Sequence, residues 1–110
     1  MNAKFDVEFL EDAIEFLSTL DEKTRNKILY NVNKSRYLND PKLFKKLSET
    51  IWEFRTEFNK LQYRLLAFWD KIESNKTLVI AATGLIKKKD KVQGKEIIKA
   101  ENLRKIYFLK

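Results

Sequence analysis

Residues 51–70 read Ile51-Trp52-Glu53-Phe54-Arg55-Thr56-Glu57-Phe58-Asn59-Lys60-Leu61-Gln62-Tyr63-Arg64-Leu65-Leu66-Ala67-Phe68-Trp69-Asp70. The stretch is rich in aromatic and β-branched residues, and residues 50–58 alternate, as do 62–70. That is the pattern of two half-buried strands. Asn59-Lys60 is the best turn between them, since asparagine tolerates the left-handed backbone that tight hairpins need. With that pair at the turn centre, Arg55 stands directly opposite Arg64 on one face of the hairpin. Like charges so placed cost up to roughly 1 kcal/mol. They make sense as a grip on an anion, or if the neighbouring acids Glu53 and Glu57 neutralise them.

Outward from the hairpin, residues 77–83 form a third strand-like run, reached through Glu73-Ser74-Asn75-Lys76 as the turn and closed by Gly84. A polar loop over residues 86–94 follows, carrying Lys87, Lys88, Lys89 and Lys91. The spacing then predicts a helix over 95–108, with Ile97, Ala100, Leu103 and Tyr107 inward. On the other side, Phe5, Val7 and Phe9 alternate as a short strand, and an apolar helical stripe runs from Phe9 to Leu20. Asp21 suits the N-cap of a second helix with Ile28, Leu29 and Val32 buried. Asn39-Asp40-Pro41 ends that helix, because proline disfavours helical geometry in the residue before it. Two helices joined this tightly predict an antiparallel hairpin. The order is strand, helix, helix, three strands, helix. It predicts one α+β domain over residues 1–110, with the helices packed on one face of a small antiparallel sheet.

Composition narrows the chemistry. The chain of 110 residues is 44% apolar, has eight phenylalanines, and carries neither cysteine nor histidine. Soft and borderline metal sites are therefore improbable, and no acidic loop has calcium or magnesium spacing. The absence of cysteine fits a reducing compartment. No apolar run is long enough to span a membrane, and Met1 to Phe9 carries charge where a secretory leader needs an apolar stretch. The expectation is a cytoplasmic protein. Of the net charge of +7, almost all falls late: residues 85–110 hold nine Lys and Arg against three acids, while residues 1–84 hold fourteen against thirteen. A field of that sign steers polyanions or an acidic partner. The lysine run taken alone also reads as a solvated loop. Trp52, Trp69, Phe54 and Phe68 are able to stack on bases, yet the sheet needs an apolar face, which assigns them mostly to the core.

The ordered set Lys46-Leu47, Ile51-Trp52-Glu53-Phe54-Arg55, Tyr63-Arg64-Leu65, the strand from Leu78 to Thr83, Gly84-Leu85-Ile86-Lys87-Lys88, and Glu96-Ile97 with Ala100 resembles the RelE/ParE toxin superfamily. It looks most like the HigB-like, phage-derived branch, over roughly residues 5–108. The resemblance implies a RelE-like fold: an N-terminal helical hairpin on a small antiparallel sheet, with a C-terminal helix. It implies a type II toxin whose partner is a helix-turn-helix antitoxin. The implied activity is cleavage of mRNA at the ribosome, with no metal, cofactor or small-molecule ligand and no membrane. Arg64, Arg55 and Lys87 become the catalytic cations, with Arg64 the main phosphate ligand and Arg55 its support. Lys88, Lys89 and Lys91 become RNA-binding residues. RNA can be cut by its own 2′-hydroxyl, so the protein need supply cations for the phosphate and groups to move protons. Relatives often use histidine or tyrosine for the latter. This chain has no histidine, and it has Ile97 where some relatives place a tyrosine. A lysine, Glu53 or Tyr107 are the substitutes at hand. Two other readings remain open: ParE-like inhibition of DNA gyrase by protein binding, and a degenerate module that only binds antitoxin.

Overall fold

The structure, a computed structural model, describes residues 2–71 and 77–110; the expected turn at Glu73 to Lys76 lies outside the described residues. Eight elements follow in order: β1 (Asp6–Phe9), α1 (Glu11–Ser18), α2 (Glu22–Ser35), β2 (Phe44–Lys46), β3 (Trp52–Phe58), β4 (Leu61–Asp70), β5 (Leu78–Lys87) and α3 (Gly94–Phe108). They build a five-stranded sheet in the order β1-β5-β4-β3-β2.

The central hairpin forms as its sequence dictates. Asn59 and Lys60 take left-handed φ angles of 50° and 66°, so a two-residue turn joins β3 to β4 and Arg55 faces Arg64 across the ladder. Asp21 caps α2 by accepting from the Thr24 amide at 2.8 Å. The α+β class holds, with three corrections. First, the sheet is mixed, because β1 lies parallel to β5 along its outer edge. Second, helices cover both faces. α1 lies on β5 and α2 on β3, so these two pack on the sheet rather than forming a tight pair with each other, while α3 lies over β4 and β5 from the opposite side. A sheet whose strands bury both faces needs both covers: Phe54 and Leu65 point toward α1 and α2, and Leu66 and Phe68 toward α3. Third, a strand unforeseen in the sequence, β2, pairs with β3 at the other edge.

The last strand is longer than its sequence suggests. Gly84 lies within β5 rather than ending it, and a Cβ there would run into the Phe16 ring of α1. Between Leu66 and Ala67 the β4–β5 register jumps: Ala67 faces Ala81, but Leu66 faces Thr83. The extra residue, Ala82, is a bulge, and it reverses the parity of everything after it. Before the bulge, odd-numbered residues Val79 and Ala81 face α1 and α2. After it, Leu85 stands opposite Arg64 and Lys87 opposite Gln62. Lys87 is therefore a strand residue on the α3 face, not a loop residue. The inner face expected for α3 is the observed one: Ala100 is buried, with Ile97, Leu103 and Tyr107 packed beside it.

Candidate functional site: a cationic pocket at the hairpin end

Residues Glu53, Arg55 and Glu57 of β3 share one face, since side chains alternate along a strand. Arg64 and Gln62 of β4 project to that face too, as the register partners of Arg55 and Glu57. α3 covers the far half of this face, where Leu66 and Phe68 lie, and leaves the hairpin end open. There a pocket of about 210 Å³ is lined by Lys42, Arg55, Thr56, Glu57, Gln62 and Arg64.

The two arginines differ sharply. The Arg64 side chain is 2% exposed, and its Nε lies 3.1 Å from Oε1 of Glu53, which is itself buried. The Nε–H is not aligned on that oxygen, so the contact is an ion pair rather than a linear hydrogen bond. Arg64 Nη1 donates to the Tyr63 carbonyl at 2.9 Å and Nη2 to Gln62 Oε1 at 3.2 Å. Burial pulls the Arg64 pKa below its ordinary value; Glu53 opposes that pull and Arg55 adds to it. The guanidinium keeps its charge throughout, as arginine does in proteins. The Arg55 side chain is 30% exposed; its Nε lies 3.8 Å from the second oxygen of Glu53, and Nη1 donates to the Pro41 carbonyl at 3.2 Å. One buried carboxylate thus bridges two facing cations, which is how the sheet tolerates them.

Glu53 neutralises the arginines by direct contact, whereas Glu57 is exposed, has no ion-pair partner among the described residues and favours the Arg64 charge only through its field, as the smallest of the contributions. Lys87 lies on the same face one strand away, with its Nζ donating to the Asp90 carbonyl at 3.2 Å. Lys87 itself, with Lys88, Lys89 and Lys91, lines a separate depression of about 220 Å³ at the end of β5, and none of the four lines the arginine pocket. Sequence reasoning missed Lys42, Gln62 and the place of Glu57. The last two were within reach, because the turn that sets Arg55 opposite Arg64 also sets Glu57 opposite Gln62. Lys42 was not, because it is brought in by the unforeseen β2.

Tyr107 does not belong to this pocket. Its hydroxyl donates to Asp70 Oδ2 at 2.6 Å. Asp70 is six residues along β4 from Arg64, roughly 20 Å at strand rise. Burial, and then the carboxylate of Asp70, push the Tyr107 pKa from 10.0 up to about 12. The folded state holds this proton more tightly than the unfolded chain does. The stabilisation is complete below pH 10.0 and is lost as pH climbs through about 12. Tyr107→Phe removes a hydrogen bond worth about 1 kcal/mol. Melting temperatures measured across the alkaline range should start lower for this variant and lack the tyrosine's share of the alkaline loss, with activity unchanged.

No group of three or more His, Cys, Asp or Glu able to hold a metal ion occurs among the described residues, and among them no helix is long and apolar enough to cross a membrane. A comparison with protein-family models matches residues 15–105 to the family described as phage derived protein Gp49-like (DUF891). That family is toxin-like, of RelE type, in the setting of toxin–antitoxin systems. A comparison with curated proteins gives no match.

Proposed function

We infer the function from one premise: the chain belongs to the Gp49-like family of phage-derived proteins. We propose that it is the toxin of a type II toxin–antitoxin pair and a metal-independent endoribonuclease that cuts mRNA on the ribosome. Its partner is a helix-turn-helix antitoxin, and it works in the cytoplasm. The observation that carries the nuclease reading is the pocket itself: an exposed carboxylate, Glu57, without an ion-pair partner among the described residues, shares about 210 Å³ with Lys42, Arg55 and Arg64.

Each group then has a task. A phosphodiester of the message lies against the solvent-facing Arg55 and Lys42, whose charges offset the negative charge that grows on the phosphoryl oxygens. Arg64, buried behind Gln62 and tied to Glu53, contributes its field and holds the Gln62 amide. Lys87 adds charge from the neighbouring strand. Glu57 takes the proton of the 2′-hydroxyl, the 2′-oxygen bonds to phosphorus, and the bond from phosphorus to the 5′-oxygen breaks. The departing oxygen is protonated by solvent, leaving a 2′,3′-cyclic phosphate. This divides the arginines differently from the resemblance: Arg55 meets the phosphate and Arg64 supports it.

Ribosomes programmed with a defined mRNA test the reading. Wild-type protein should generate new 5′ ends, and Glu57→Gln should cut about a hundredfold more slowly while the complex still forms. No new 5′ ends with wild-type protein sinks the nuclease reading.

A further inference from the structure

The chain has two tryptophans, and both come to rest at the end of the sheet opposite the arginine pocket. Trp52 opens β3 and Trp69 sits one residue from the end of β4; both are half-buried. Their rings meet edge to face at 5.8 Å. Phe44 backs Trp52 in a stacked arrangement at 4.9 Å, and Phe5 backs Trp69 edge-on at 5.3 Å. Phe54 and Phe68, the other aromatic candidates, are buried and unavailable.

The two indoles line a depression of about 480 Å³ with Lys46, Lys71 and Arg104 around it, and Glu49 is the single acid of its lining. The Lys71 ammonium stands over the Trp69 ring, 5.0 Å from its centroid. A flexible lysine on an indole face marks a surface that a planar, negatively charged ligand can take over while keeping the lysine as a phosphate contact. Indole faces ringed by cations are the combination that binds single-stranded nucleic acid without sequence preference.

The edge strand connects the two sites. Lys42, just before β2, lines the arginine pocket, and Lys46, its last residue, lines the tryptophan depression. Lys42 lies in the turn over residues 41–43, and the two sites open on opposite faces of the sheet, so a strand joining them passes round the β2 edge, where Lys45 pairs with Glu53 on the arginine face and Lys46 with Trp52 on the other. Lys45 is exposed between them.

We propose that this depression stacks a base of the same RNA strand whose phosphate lies at Arg55, with Lys42, Lys45 and Lys46 tracking the backbone in between. The inference rests on RNA being the ligand of the arginine pocket, and it adds a second, base-contacting site. Because both tryptophans lie there, the intrinsic emission of the whole protein reports on it.

The test uses the full chain and a single-stranded decauridylate at low salt, without ribosomes. Tryptophan emission should fall saturably, in step with the anisotropy of fluorescein-labelled decauridylate. Lys46→Glu combined with Lys71→Glu changes two exposed residues and leaves the fold intact. It should weaken binding on the order of tenfold or more and remove most of the quench. Arg55→Ala should keep the quench. Saturated binding with unchanged emission overturns the inference, as does a quench that survives the double lysine change. Absence of binding also overturns it, while the nuclease reading is decided separately by the 5′ ends formed on ribosomes.

Discussion

Glu53→Ala lowers the unfolding free energy by about 3–5 kcal/mol, measured as a shift in the urea midpoint at unchanged slope. The reason is what the change leaves behind. Arg64 stays 2% exposed with its counter-charge gone, and Arg55 faces it across the ladder with nothing between them. Exposed ion pairs contribute little, but removing one partner of a buried pair strands the other charge. The paired change Glu53→Leu with Arg64→Met tests this cause. It deletes both charges and restores apolar volume, so stability should return to within about 1 kcal/mol of the starting protein. Cutting activity should not return with it. A Glu53→Ala protein as stable as the original would mean that water reaches Arg64, contrary to its burial.

Arg55→Ala should behave in the opposite way. Its side chain is 30% exposed and its contact with Glu53 spans 3.8 Å, so stability should change by less than about 1 kcal/mol. The cutting rate on ribosomes should fall by about 10²–10³, the usual loss when one preorganised donor to a developing oxyanion is removed. Arg55→Lys should recover part of this, because an ammonium restores charge without the two-pronged geometry of a guanidinium. Rates from single-turnover cutting, set beside urea midpoints for the same proteins, separate the two effects. If Arg64→Ala lost activity while fully folded and Arg55→Ala lost none, the two roles proposed for the arginines would be reversed.

The hairpin was legible because its information is local. Alternation over residues 50–58 and 62–70, with Asn59-Lys60 between, determines which residues oppose which, and the arginine pair follows. Glu53 could have been read as buried as well, since it shares a face with Ile51, which is fully enclosed. A glutamate between an indole and a phenylalanine reads as solvent-facing until that parity is applied. β2 was not legible: Phe44-Lys45-Lys46 is three residues long with two lysines, and it is a strand because β3 offers an open edge. The bulge falls at Ala82, the last residue of the apolar run 78–82, and nothing in that run distinguishes it from its neighbour Ala81. Its effect nonetheless decides whether Lys87 shares a face with Arg64. The place of α3 on the second face was hidden for a related reason. Its spacing shows which residues turn inward, but not which face of the sheet they meet, and Ile98 and Ile106, both more than half exposed, add apolar residues on the outward side.

The pairing of β1 with β5 bears on the order in which the molecule can assemble. Asp6 meets Leu78 and Phe9 meets Ala81, so the first strand waits for a partner some seventy residues away. During synthesis α1 and α2 can become helical early, yet the strands they cover do not exist until much later. Closing so long a loop has an entropic cost that must be met before the contact returns anything. The hairpin of β3 and β4, with its two-residue turn, has no such delay. Folding should therefore start in the middle of the chain and finish at its first strand, and the arginine pocket would take shape before the sheet that supports it is complete.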